Sequence, residues 1–173
     1  MKVKEAIEKR RSIRAYTDRT IDKETINELL QAARLGPSAY NAQPWKFMII
    51  NQKETISKLK ENNVFVQDFV YTAPLIIICC VSDEYPERAK EYVNTGKLSF
   101  GDMGLSSQNL VLRATELGIG SCYIGLLDRA KIKTILDIPQ NYDVTYAIVL
   151  GYPAEDPDPK PRKELKDIVI GEL

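Results

Sequence analysis

The chain has 173 residues, 44% hydrophobic and 28% charged, which bounds it to one compact domain burying roughly 70% of its surface on folding. Lys plus Arg and Asp plus Glu both total 24, so no whole-molecule field draws it to nucleic acid or an anionic membrane, and any anion site must be local. Histidine is absent, which removes the Ser-His-Asp triad, the Cys-His pair and the HExxH zinc site.

Val3, Ala6, Ile7 and Arg10 fall on helical spacing, so a short amphipathic helix delivers Lys9-Arg10-Arg11-Ser12-Ile13-Arg14 at its end. Asp22 caps a second helix whose apolar stripe Ile26, Leu29, Leu30, Ala33 stops at Gly36-Pro37. A breaker- and amide-rich loop, Pro37 to Pro44, leads into the strand Trp45 to Ile50. Short helices are expected over Lys53 to Lys60 and Val64 to Tyr71. Pro74 then opens Leu75 to Val81, a continuous apolar run that reads as a central strand buried on both faces. Leu98 to Leu117 keeps helical spacing up to Gly118, with Gly101, Gly104 and two serines leaving part of its surface small enough to pack closely on another helix. Ile119 to Ile124 reads as a strand, Asp128 caps a short helix, and Val144 to Leu150 is a further strand. After Tyr152 four of the nine prolines, at 153, 157, 159 and 161, favour an extended tail, and its Ile168, Val169 and Ile170 need something to pack on, a partner subunit being the fair candidate.

Cys79, Cys80 and Cys122 are an odd set, with two adjacent inside an apolar run, which fits a reducing cytoplasm better than a disulfide framework. No apolar run nears the ~18 residues of a membrane span, and the first residues lack the apolar core of a signal peptide. The expectation is a protein neither exported nor membrane-embedded. No Walker sequence, paired CxxC or EF-hand loop supports ATP hydrolysis, structural zinc or calcium, and no metal site is expected.

Four segments carry chemistry. Residues 1 to 20 hold seven bases and three acids in a neutral chain, and Arg10 and Arg14, with Ser12 between them, have the planar donors to share one phosphate of a nucleotide. Read alone, the cluster is equally a solvated helix end. In Gly36-Pro37-Ser38-Ala39-Tyr40-Asn41-Ala42-Gln43-Pro44-Trp45, the amides of Asn41 and Gln43 suit the alternating N–H and C=O edge of a planar heterocycle, or simply their own turn. Gly118-Ile119-Gly120-Ser121-Cys122-Tyr123-Ile124-Gly125 has spaced glycines but not the GxGxxG order, and follows a helix rather than a strand. Lys160 and Arg162 are a second basic pair, or a solvated tail.

Together and in this order, the four segments resemble the FMN-dependent nitroreductase family over nearly the whole chain. The resemblance implies an α+β fold, a central mixed β-sheet flanked by helices, in a single domain spanning 1–173. It further implies an intertwined homodimer whose extended tail, 153–173, packs on the partner, with two FMN sites at the subunit interface. By that analogy Arg10, Arg11, Ser12 and Arg14 hold the phosphate and flavin edge with Lys160 and Arg162. Pro37, Ser38, Asn41 and Gln43 come from the other subunit, Tyr123, Ile124 and Gly125 lie against the isoalloxazine ring, and Gln67 is the nearest match to a polar residue preceding the buried strand. The implied chemistry is ping-pong: NADH or NADPH gives hydride to flavin N5 and leaves, then a small acceptor such as a nitroaromatic or quinone takes its place. It needs no side-chain base, and Arg14 is the expected electrostatic residue. Alternatives are a flavin protein for storage or sensing, and a flavin-dependent dehydrogenase or dehalogenase on the same fold; a nucleic-acid module is remote on charge grounds. Ser82 to Lys97 is short where larger members carry a lid, and Tyr85, Tyr92 and Phe100 are candidate stacking residues.

Overall fold

The computed structural model describes residues 1–91 and 94–171, so Tyr92 lies outside the described residues. Six helices, α1 (Val3–Lys9), α2 (Lys23–Arg34), α3 (Lys53–Glu61), α4 (Glu87–Lys90), α5 (Thr95–Glu116) and α6 (Arg129–Ile135), alternate irregularly with four strands among these residues. The strands are β1 (Trp45–Ile50), β2 (Leu75–Val81), β3 (Gly120–Ile124) and β4 (Asp143–Gly151). They form one sheet in the order β1-β2-β4-β3.

β2 is central and buried at every position, as its unbroken apolar run demands. Its alternate residues feed two cores. Leu75, Ile77, Cys79 and Val81 pack with α2 and α5 on one face, while Ile76, Ile78 and Cys80 pack with α3, α6 and the 64–73 segment on the other. The fold is thus α+β in three layers. The expected mixed sheet is corrected in one respect: all three strand pairs are antiparallel. Parallel pairing is confined to an isolated bridge between Ser12 and Ser121. Strand order and sense depend on pairings far apart in sequence, which periodicity does not encode.

Asp22 caps α2 as expected, its carboxylate accepting from Thr25 N–H at 2.7 Å. Asn94 does the same for α5 through Lys97 N–H at 3.2 Å, so that helix starts at Thr95 rather than Leu98. The helix expected over Val64 to Tyr71 is instead a bridge at Phe65 followed by a 3₁₀ turn, Asp68–Thr72. The Tyr71 hydroxyl satisfies both backbone groups of Phe65, accepting its N–H at 2.8 Å and donating to its carbonyl at 3.1 Å, which closes a loop where a helix would have used those groups.

The small residues of α5 have two fates. On the packed side, Ser106 Oγ donates to the Ala33 carbonyl at 2.9 Å, and a Cβ at Gly36 would come within 2.7 Å of Ser106 Cα. On the other side, Gly101 and Gly104 face open space and Phe100 and Leu105 are half-exposed. The tail leaves β4, makes one 3₁₀ turn at Leu165–Asp167, and exposes Leu165, Ile168, Val169 and Ile170. Among the described residues no helix is long and apolar enough to cross a membrane.

Candidate functional site

The outer edge of β3, opposite its pairing with β4, receives the arginine segment. Ile13 N–H donates to the Ser121 carbonyl at 3.0 Å beside the Ser12–Ser121 bridge. Gly120 makes this approach possible, since a Cβ there would lie 2.8 Å from Ile13 Cγ1. The chain leaving β4 grips the same segment further along: Thr17 N–H donates to Tyr152 O and Ala154 N–H to Ala15 O, each at 2.9 Å. Glu155 then accepts from the backbone N–H groups of Arg14 and, at 3.3 Å, Ala15. The Tyr16 hydroxyl donates to Ile13 O at 2.5 Å, and burial holds that phenol well above its ordinary pKa.

This double grip stretches residues 12–17 into an extra sheet-like strip and lays the tail across it. A cleft of about 480 Å³ results, lined by Arg10, Arg11, Ser12 and Arg14, by Lys160 and Arg162 from the tail, and by Gln108 of α5. Five cations converge there, and among the described residues none of them forms an ion pair. Two acids also line the cleft, Glu8, which pairs with Lys4 at 3.8 Å, and Asp158, which forms no ion pair among the described residues, while Glu155 close by holds backbone. Arg11 is folded back, donating to the Glu8 and Arg10 carbonyls at 2.5 and 3.0 Å, so it caps the end of α1 while lining the cleft. Arg14 is steadied by a 3.2 Å bond to Ser12 O.

The end of β3 continues the site. The partly exposed Tyr123 donates its hydroxyl to Ser107 Oγ at 3.1 Å, Ser107 Oγ lies 2.7 Å from the Tyr146 hydroxyl, and Tyr146 donates to Met103 O at 3.2 Å. The two tyrosine rings meet edge to face at 5.4 Å. Burial raises both phenol pKa values, so the chain is one of neutral donors. The side chain of Ile124 is buried in the core and offers a ligand only its backbone. At Gly125 a Cβ would meet nothing within 4 Å, leaving bare backbone facing open space.

Gln67 stands close by, because Val66 N–H donates to Leu126 O at 3.3 Å and Phe65 bridges Leu127. Its Oε1 is buried without a hydrogen-bond partner among the described residues. Such an atom costs about 1–3 kcal/mol and calls for a donor from outside the chain.

Pro37, Ser38, Asn41 and Gln43 are not among the residues lining this cleft. Their loop is fixed to α5 at Asp102, which accepts from Ala39 N–H at 3.1 Å, six residues and so about 9 Å along the helix from Gln108. Within it Tyr40, Asn41 and Gln43 adopt left-handed backbone, with φ of 55°, 53° and 49°, a cluster of strain that concentrates at functional sites. Of the stacking candidates, Tyr85 is buried with its hydroxyl 2.7 Å from Asp102, whereas Phe100 is exposed on α5. Gln108, Glu155 and Asp102 are missing from the residues singled out in the sequence. Only Gln108 had a signal, falling at helical spacing on the small-sided face of Gly101 and Gly104.

The fold and cleft define an α+β protein with a cleft rich in cations at a sheet edge. A sequence profile of the nitroreductase family matches residues 7–64 and 61–152. A Methanothermobacter thermautotrophicus protein carried under the provisional name NADH dehydrogenase/NAD(P)H nitroreductase is 37% identical over 161 residues, covering 91% of this chain and 80% of that one. The FMN reductase (NADPH) of Bacillus subtilis is 27% identical over 170 residues, covering 91% and 68%. The crystal structure of a nitroreductase family protein from Clostridium difficile superposes with a TM-score of 0.85 at 30% identity, covering 100% of this chain and 99% of that one. The chain belongs to the nitroreductase family.

Proposed function

We propose that the protein is an FMN-dependent NAD(P)H oxidoreductase acting as a homodimer in the cytoplasm. The observation that carries this reading is the convergence of Arg10, Arg11, Arg14, Lys160 and Arg162 on one cleft with no carboxylate paired to any of them. A phosphate monoester supplies the missing charge, and Arg10, Lys160 and Arg162 hold it. The orphaned Gln67 Oε1 accepts from a ring N–H, the bare backbone at Gly125 admits a flat ring, and the Tyr123 hydroxyl is fixed by Ser107 so that its ring backs that surface. These features fit FMN, and the name of the B. subtilis relative agrees with them.

The chemistry that bound FMN supplies is hydride exchange at N5 with NADH or NADPH in one half-reaction and reduction of a small acceptor, such as a nitroaromatic or quinone, in the next. Arg14 holds negative charge on the polar edge of the cofactor. No side chain needs to move a proton in this scheme, so the absence of histidine is no obstacle to it. Pro37, Ser38, Asn41 and Gln43 serve the site of the partner subunit, which accounts for their absence from the cleft of their own chain. The exposed small-sided face of α5 and the exposed apolar residues of the tail, 153–173, supply the dimer contacts of a one-domain chain. Buried free cysteines fit a reducing compartment.

The test is the visible spectrum of protein supplied with FMN, followed anaerobically on adding NADH and then NADPH. The expected result is bound-flavin absorbance that bleaches with one or both donors and returns with acceptor. Flavin that binds but stays oxidised would make this a storage or sensing protein, and protein that takes up no FMN would sink the reading entirely.

A further inference from the structure

Asp102 sits in the middle of α5, only 6% exposed, and among the described residues it takes part in no ion pair. An unneutralised buried carboxylate is costly, and a neutral side chain would accept an amide hydrogen without that penalty. The carboxylate here accepts two hydrogen bonds on one oxygen, from the backbone N–H of Ala39 at 3.1 Å and from the Tyr85 hydroxyl at 2.7 Å. Charge-assisted bonds of this kind are about twice as strong as neutral ones. Their donors belong to two separate segments, the Pro37–Gln43 loop and the stretch after β2, so a single side chain ties both to α5.

The loop so tied is the strained one. Tyr40, Asn41 and Gln43 hold positive φ only because their surroundings over-determine it. A second grip lies outside: the Arg88 guanidinium of α4 sits 5.4 Å over the Tyr40 ring. The neighbouring lysines are engaged with carboxylates, Lys46 with Glu84 at 3.1 Å and Lys90 with Glu87 at 2.9 Å. Inside the loop, Ser38 Oγ accepts Gln43 N–H at 3.0 Å and the Gln43 amide donates to Asn41 O at 3.2 Å. That leaves the Ser38 hydroxyl hydrogen and the Asn41 side-chain amide without a partner among the described residues.

We propose that Asp102 is a positioning residue for the cofactor site: by anchoring Ala39 and Tyr85 it keeps the Pro37–Gln43 loop in the conformation that presents Ser38 and Asn41 to FMN. This rests on the oxidoreductase reading and adds to it the element that sets the loop. Ser82–Glu91 is then a brace behind the loop, not a lid.

The experiment compares Asp102→Asn and Tyr85→Phe with wild type by fluorescence titration with FMN, well below each protein's melting temperature. Asp102→Asn is expected to raise the FMN Kd about tenfold, the equivalent of one lost charge-assisted hydrogen bond, and Tyr85→Phe to shift it less in the same direction. Activity lost by Asp102→Asn at low FMN returns with excess FMN, and a cooperative melt of the FMN-free variant above the assay temperature separates weakened binding from a general loss of folding, which excess ligand would also reverse. A Kd within about twofold of wild type in both variants, with only the melting temperature lowered, overturns the proposal while leaving the oxidoreductase reading intact. If Asp102→Asn does not fold, Tyr85→Phe decides alone; wild type that binds no FMN overturns both readings together.

Discussion

In the basic cleft the charged groups come from opposite ends of the chain, Arg10 to Arg14 at one end and Lys160 and Arg162 at the other. In the amide loop the polar groups lie within Pro37–Gln43. The cleft is assembled by tertiary closure: β3 and residues 152–155 together hold the arginine strip, and among the described residues the cations form no ion pair. The loop is assembled by local strain held down at one buried carboxylate, and it satisfies part of its own polarity internally. A site made this way has a half that gives affinity through charge and a half that gives geometry through rigidity. The two halves should therefore fail differently.

The largest effect is expected in the charged half. Arg10→Ala removes a guanidinium that forms no ion pair among the described residues, so the fold should keep its melting temperature while the FMN Kd rises about 100-fold, the upper range for a lost charged hydrogen-bonding group. Titration at two salt concentrations checks the cause, since the wild-type affinity should fall with salt more steeply than that of the variant. The same variant also tests which chain the loop serves. In a two-fold dimer whose sites each take the cleft from one subunit and the loop from the other, an Arg10→Ala chain paired with an Asn41→Ala chain makes one doubly damaged site and one undamaged site. Mixing the two weakened proteins should then restore a population that binds FMN with wild-type affinity. If mixing restores nothing, the loop serves its own chain or no site at all.

The two halves also differ in how much could be read from sequence. The unbroken run of β2 and the cap at Asp22 are local patterns, and the structure bears them out; the arginine segment is as local a pattern, and the structure sets it in the cleft. Lys160 and Arg162 read as an ordinary solvated tail until the family likeness linked them to Arg10. What joins them physically is the pairing of residues 15–17 with 152–154, which no local pattern announces. The left-handed backbone at Tyr40, Asn41 and Gln43 was equally hidden, because none of the three is glycine. Asp102 carries no local signal, being one polar residue within a helical stretch. Its meaning lies in two donors 63 and 17 residues away. The mixed sheet was expected and an antiparallel one found, since strand sense is a property of pairs and not of any strand.

A smaller effect separates stability from affinity at the glycine that opens β3 and the one that follows it. Gly120→Ala would push a methyl group to 2.8–2.9 Å from Ile13 carbons, an overpacking expected to cost about 1–3 kcal/mol and to displace the strip carrying Ser12 and Arg14. Its melting temperature should drop with or without FMN. Gly125→Ala meets nothing within 4 Å, so the FMN-free protein should melt as wild type does, and only FMN binding should weaken as the methyl group meets the ring. If both variants lose stability equally without FMN, the open surface assigned to Gly125 is wrong.

The smallest effect concerns protons held behind the two halves. Burial raises the phenol of Tyr16, under the arginine strip, and that of Tyr85, under the loop, with the bond to Asp102 adding to the shift of the latter. Burial likewise pushes the Cys80 thiol from its ordinary 9.0 up to about 11. Each group is an acid whose proton the folded state retains longer than the unfolded chain does, so the folded state binds more protons once the unfolded groups begin to ionise. Stability is therefore full below about pH 9 and declines as pH rises through the folded values. Thermal melts from pH 7 to 11 should show a plateau and then a fall, and Cys80→Ala, which removes one such proton, should fall less steeply between about 9 and 11. Tyr16→Phe and Tyr85→Phe should flatten the limb only above about pH 10, where an unfolded tyrosine ionises. A melting temperature that rises with pH across this window would mean that these buried groups are already ionised in the folded protein, and that the backing of both halves is wetter than their burial indicates.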